Sequence, residues 1–289
     1  VLIGKYTMLQ KIQEKISTLS SELNYRMSLW HHAKNLPAIN STDKLIVDTL
    51  KKSGVYITSL EDLGFSSTSK MLAIANSCTD NMVNPRDIHA GYKLPQIYTV
   101  TDLPEFFNWG IETRLQNIIE HYIGLPIAFH GVHVRKDFPN EKQLETLLWH
   151  KDSEDRRMMK VIIYLNDVTQ EHGPFEYIPL PKNSLERLNN YRVDYELWRV
   201  NFLGINDDKM MKVIPKSAWK SCHGKAGTVI FADVRNILHH GTVRTKQRST
   251  LFFTYTANSP KRPELCTQYH DDTFTKINPQ VGLQLGLKV

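Results

Sequence analysis

Apolar residues along this chain change their period near Gly124. Before it they recur at intervals of three and four, the mark of helices with one buried face. Over 8–27, Leu9, Ile12, Ile16, Leu19 and Leu23 trace a narrow seam. That seam predicts a helix that packs on its own domain or meets a second copy in a homodimer. "NSTDKLIVDTLKKSG" predicts a second helix, with Ser41, Thr42 or Asp43 as its cap and Gly54 as its stop. "VYITSL" reads as a short strand. "LPEFFNWGIETRLQNIIEHYIG" predicts a third helix, with Phe107, Ile111, Leu115, Ile118 and Tyr122 on one face and Gly124 at its end.

After Gly124 the period shortens to two. In "IAFHGVHVRKDF", His133 and Arg135 alternate with Val132 and Val134. "TLLWHKD", "MKVIIYLND", "FEYI", "GTVIFAD" and "RSTLFFTYTA" follow as predicted strands, separated by turn-rich pieces such as "QEHGP". Most connections are too short for a crossover helix, which favours an antiparallel sandwich or barrel. The exception is 181–224, a mixed helix-and-loop interruption whose Tyr191, Tyr195, Trp198 and Trp219 argue for order.

Composition narrows the class. With 289 residues, 41% of them apolar, the chain can bury one large core. No apolar run approaches the ~18 residues of a membrane helix, and "VLIGKYTMLQKIQEKIS" lacks the apolar stretch of a secretory signal. Three widely spaced cysteines read as buried thiols, not a disulfide scaffold. A cytoplasmic location without membrane attachment is therefore expected. A net charge of +6 would help an anionic small molecule approach. No helix carries a basic stripe with interleaved aromatics, so nucleic acid is not an expected partner.

The chemistry gathers around "WHKD". His150 and Asp152 stand two apart, so on a strand both face one interior. A second histidine would complete a facial triad, which leaves three positions open on an octahedral ferrous ion. "FADVRNILHHGTVRTKQRSTLFFTY" offers His239 or His240, and then Arg248 at the start of an apolar strand. A chelating 2-oxoacid and O2 would fill the open positions. A buried guanidinium is the natural grip for the far carboxylate of that oxoacid.

At these residues the chain resembles the iron(II)/2-oxoglutarate-dependent oxygenases of the phytanoyl-CoA dioxygenase-like branch. "WHKDSEDRRMMKVIIYLNDVTQEHGPFEYIP" is similar to that family's His-x-Asp stretch, and "GTVIFADVRNILHHGTVRTKQR" to its distal histidine and arginine segment. "VDTLKKSGVYI" is similar to its N-terminal helix and first strand. The likeness covers about residues 43–258. It implies a mainly β fold with flanking helices: a double-stranded β-helix (a cupin-like jelly roll) behind N-terminal helices. Residues 1–40 would be a helical extension, 41–258 the oxygenase domain with 181–224 as a lid-like insertion, and 259–289 a tail.

The resemblance also implies Fe(II) on His150, Asp152 and a distal histidine, with 2-oxoglutarate on Arg248. Ascorbate would help in vitro. The family's frequent His-x-Gly pattern selects His239, which is the expected distal ligand; a direct His-Gly form, found in some members, would select His240 instead. The ambiguity comes from an extra residue between Asp233 and the histidine pair, and "LPKNS" replaces the usual Gly-Ser-His after "FEYIP". Halogenating relatives lack the carboxylate, so Asp152 points to hydroxylation or a related oxidation of a small molecule. His133 and Arg135 are candidates for substrate contact, or a polar pair at a sheet rim. Trp149 reads as core packing, His172 as a turn residue, and His31 and His32 as a helix end. The rival readings are a non-oxidative cupin-like metalloenzyme, which would need no Arg248, and a non-catalytic jelly-roll binding module.

Overall fold

A computed structural model describes residues 2–83, 87–88, 92–269 and 271–287, apart from the side chains of 2–12, 14, 87 and 88. Six helices matter here. They are α1 (Leu2–His32), α2 (Ser41–Ser53), α3 (Thr68–Asp80), α4 (Pro104–Gly110), α5 (Thr113–Ile123) and α6 (Ser184–Arg199).

The first helix docks through Tyr25, Leu29 and His32. Tyr25 lies beneath the Arg156 guanidinium, Leu29 abuts Gly124 and His32 Nε2 reaches Glu120 at 2.8 Å. Ile16, Leu19 and Leu23, continued by Met27 and Trp30, lie on another face and are more than half exposed. The helix therefore packs on its own domain, but not through the apolar seam. Leu9 and Ile12 fall outside the described side chains.

Helix α2 ends at Gly54 as expected, with φ +80°, but its cap is Asn40, whose side chain accepts from the Asp43 N–H. Asp43 instead holds Arg114 through paired hydrogen bonds of 2.8–3.1 Å, which tie α2 to α5. The third predicted helix is two helices. A Cβ on Gly110 would sit 2.4 Å from the Phe129 ring, so close packing requires glycine where the helix breaks. The break rotates the predicted face. Leu115, Ile118 and Tyr122 are buried as expected, whereas Phe107 and Ile111 are exposed and Phe106 and Trp109 take the core.

Besides a two-stranded ribbon of Asp87–Ile88 with Tyr92–Lys93, the described strands form two sheets. They are β1 (Val55–Ser59), β2 (Gln96–Thr99), β3 (Ile127–Asp137), β4 (Met159–Tyr164), β5 (Phe175–Ile178), β6 (Lys220–Cys222), β7 (Thr228–Asp233), β8 (Leu238–Gly241), β9 (Arg248–Ala257) and β10 (Thr275–Lys276). The larger sheet runs β1-β7-β4-β9-β3-β2-β10 and the smaller β8-β5-β6. All these pairings are antiparallel except β10 with β2. Alternation explains the layers. Met159, Val161, Ile163, Leu251 and Phe253 face the helices in the main core. Ile162, Tyr164, Ile230 and Ala232 face the smaller sheet, where Phe175 and Cys222 meet them. This is the expected jelly-roll arrangement with helices on its outer face.

The long connection 181–224 is ordered. Its Val193, Leu197, Ile205, Met210, Ile214 and Trp219 bury themselves against Trp149, Ile178 and Leu238. It thus backs the segments that carry the candidate ligands. Trp219 is core, while Tyr191, Tyr195 and Trp198 are exposed. The cysteines are free and buried. Among the described residues no helix is long and apolar enough to cross a membrane.

Candidate metal centre

"TLLWHKD" is not the continuous strand its alternation suggests. Glu145–Leu147 is a 3-10 turn, and the residues after it make single bridges, Trp149 with Ile205 and His150 with His239. The second bridge sets the site. His150 N–H donates to the His239 carbonyl at 3.0 Å, and His239 N–H to the His150 carbonyl at 3.1 Å. The two imidazoles therefore stand side by side, centroids 4.4 Å apart. Asp152 is fixed by its own N–H donating to the Val234 carbonyl at 3.0 Å. One ligand atom each from His150, Asp152 and His239 lies within 4.8 Å of the others.

The protonation states suit a metal. Each histidine directs Nδ1 at a carbonyl, His150 at Leu148 (2.7 Å) and His239 at Ile237 (3.4 Å), which leaves Nε2 free to ligate. Burial holds the pKa of both rings below the usual histidine value, His239 the further because His150 is beside it. Burial raises that of Asp152, but Lys160, His239 and His150 outweigh it and keep the carboxyl ionised. Two neutral imidazoles and one carboxylate are a donor set that fits a ferrous ion.

The neighbouring histidine does something else. His240 stacks on Trp149 at 3.9 Å. It directs Nδ1 at the Leu147 carbonyl (2.8 Å) and Nε2 at Glu176 (3.1 Å). Strand alternation along β8 separates the two, and His239 is the one brought to His150 and Asp152. Gly241 follows in a tight place: a Cβ there would lie 3.2–3.4 Å from Leu147 and from the Arg244 and Arg248 guanidiniums.

Arg248 is buried on the wall of a small cavity, about 80 Å³, that it shares with His150 and His239. It belongs to a charge cluster. Asp137 receives Arg248 at 2.9 and 3.2 Å, Arg244 at 2.8 Å and Arg135 at 2.8 and 2.9 Å. Arg248 also donates to the Gly173 carbonyl. Burial alone would raise the Asp137 pKa; the three guanidiniums drive it well below the carboxylate range. Burial pulls Arg244 down to about 10, and its Nε has no hydrogen-bond partner. Three positive charges against one negative leave a surplus suited to a dianion.

A second cavity, about 540 Å³, adjoins the first and shares Arg135, Thr146, Lys160 and Phe252 with it. His133 and Arg135 both line it, so the expected common face of β3 is real. Burial pushes His133 down to about 4, which keeps the ring neutral as it stacks on Tyr269 at 4.3 Å. The outer wall comes from Gln268, Tyr269, Thr273, Phe274 and Thr275; no residue of 181–224 lines either cavity.

Sequence reasoning missed Lys160, Asp137 and Arg244. Two of these carried a signal. Lys160 is a lone cation within the apolar run "MMKVIIY", and Asp137 continues the alternation of His133 and Arg135. Nothing in 268–275 announced a cavity wall.

No family model and no curated protein sequence matches the chain. Solved structures do. One is the non-haem alpha-ketoglutarate-dependent epimerase SnoN from nogalamycin biosynthesis. It is 14% identical, with 83% of this chain and 92% of that chain covered and a TM-score of 0.52. Another is EctD from S. alaskensis. Its apoform is 17% identical over 78% of this chain and 80% of that one, with a TM-score of 0.52. Its form with bound Fe is 15% identical over 78% and 79%, with a TM-score of 0.51. The chain thus shares the fold of SnoN and EctD, a jelly roll as expected, and within it His150, Asp152 and His239 come together.

Proposed function

We propose that the protein is an iron(II)- and 2-oxoglutarate-dependent dioxygenase that hydroxylates an unactivated C–H bond of a small molecule, releasing succinate and CO2. The observation that supports this best is the meeting of His150, Asp152 and His239 beside a buried arginine cluster with surplus positive charge. His150, Asp152 and His239 would hold the metal, and Arg248 the distal carboxylate of 2-oxoglutarate. When bound, iron supplies open coordination positions and the electrons that activate O2 at the expense of 2-oxoglutarate.

The rest of the work belongs to the chain. Carbonyl hydrogen bonds hold the two imidazoles in one tautomer and orientation. Arg248 is itself oriented by Asp137 and Gly173, so it meets its anion pre-organised. The larger cavity takes the substrate, with His133 and Arg135 as polar contacts and Tyr98, Phe252, Tyr269 and Phe274 as apolar walls. Placement in that cavity selects which C–H bond faces the metal. A natural-product, acyl or amino-acid substrate suits its mixed lining. SnoN and EctD share the fold, and SnoN is an epimerase; the fold leaves the outcome of oxidation to substrate placement.

The Arg135–Arg244–Arg248 cluster favours this reading over a hydrolytic metalloenzyme, which has no use for a buried dianion site. The test is succinate formation from 2-oxoglutarate by protein loaded anaerobically with Fe(II), then given O2 and ascorbate. Iron-dependent succinate is the expected result, slow without substrate. No succinate from iron-loaded, folded protein would refute the proposal.

A further inference from the structure

We propose, on the reading just given, that Lys160 is a positioning residue that restricts Asp152 to one metal-facing oxygen. The two carboxylate oxygens have different neighbours. Oδ1 lies 3.7 Å from His150 Nε2 and 3.8 Å from His239 Nε2. Oδ2 accepts from Lys160 Nζ at 2.5 Å. Arg235 is also near, but it donates to the backbone carbonyl of Asp152 and leaves the carboxylate alone.

Lys160 is placed by strand alternation. On β4 it precedes Ile162 and Tyr164 on the face turned to the smaller sheet, opposite Thr254 on β9 and Ala232 on β7. Its side chain is 20% exposed and borders both cavities. The cost of burying an ammonium ion is met by the carboxylate it touches. A buried, charge-assisted bond of this kind fixes which oxygen is spoken for.

The consequence concerns vacant positions. A carboxylate free of Lys160 can turn both oxygens to a metal, as carboxylates do when nothing restrains them. It would then fill a position that 2-oxoglutarate or O2 needs. Lys160 thereby exchanges metal affinity for cosubstrate access. This sign is opposite to that of an ordinary orienting contact, whose loss weakens metal binding.

The test uses Lys160→Met, which keeps the stem and removes the charge. Anaerobic titrations would measure Fe(II) affinity and, on the iron-loaded protein, 2-oxoglutarate affinity through the visible absorption of the complex. We expect Fe(II) to bind at least as tightly as to wild type. We expect 2-oxoglutarate to bind more weakly by about tenfold or more, the scale of outer-shell effects at metal sites. Lys160→Arg, which keeps a cation at Oδ2, should restore the wild-type 2-oxoglutarate affinity. It also serves if the Met variant does not fold, because an Arg variant with weakened 2-oxoglutarate binding would overturn the proposal. Unchanged 2-oxoglutarate affinity in Lys160→Met, or parallel loss of both affinities, would overturn it as well. The parent reading fails separately, if wild type binds no Fe(II) or gives no absorbing complex with 2-oxoglutarate.

Discussion

Arg248→Ala is expected to raise the 2-oxoglutarate concentration for half-maximal turnover by roughly a hundred- to a few-thousandfold. Removing one partner of a buried ion pair costs about 3–5 kcal/mol, and each 1.4 kcal/mol is about tenfold in binding. Arg244 cannot take over. It lines neither cavity, and it is already engaged with Asp137 and the Thr242 carbonyl. Arg135 reaches both cavities but is held by Asp137 and Thr146. Succinate formation against 2-oxoglutarate concentration measures the effect, with Fe(II) content as the control. Wild-type dependence on 2-oxoglutarate in the variant would remove Arg248 from its assigned role.

Asp137→Ala should be the most destabilising single change near the site. Asp137 is 3% exposed and is the shared counter-ion of Arg135, Arg244 and Arg248. Without it three guanidiniums repel one another in a buried place, and a loss of about 3–5 kcal/mol follows. In a chain of this size that lowers Tm by roughly 10 °C. The sign with pH is fixed too. Because the folded pKa is depressed, the contribution is present above the ordinary value of 3.8 and is lost as pH falls below it. Thermal unfolding with and without 2-oxoglutarate would show both the loss and a larger rescue by the dianion in the variant than in wild type. A variant as stable as wild type would mean that the three arginines do not depend on Asp137.

The parts of the molecule legible in its sequence are those set by local rules. Alternation put His133 and Arg135 on one face of β3 and the valines on the other, and that pattern needs nothing distant. Gly54 ended α2 because a left-handed residue was required there. The errors arose where a remote residue decided the outcome. Phe129, from β3, packs so close to Gly110 that a side chain there would clash, at the place where a helix that its own period would continue is broken. Asn40 caps α2, while the Asp43 side chain turns to Arg114, 71 residues away in sequence. Spacing favoured His239 over His240 only through the His-x-Gly pattern; what brings His239 to His150 is the bridge between two short backbone segments. Lys160 was readable as an oddity in an apolar strand, but its partner Asp152 lies before β4, where no regular strand had aimed it. The wall from Gln268, Tyr269, Thr273, Phe274 and Thr275 stands beside the pairing of β10 with β2, a contact remote in sequence.

The central claim is that His150, Asp152 and His239 together hold one ferrous ion. It is tested most directly by anaerobic Fe(II) titration of wild type, His239→Ala and His240→Gln, read by bound iron and by visible absorption on adding 2-oxoglutarate. Wild type and His240→Gln should take up about one ion per chain and develop the absorption. His239→Ala should bind iron weakly and stay colourless. Iron retained by His239→Ala and lost from His240→Gln would contradict the account.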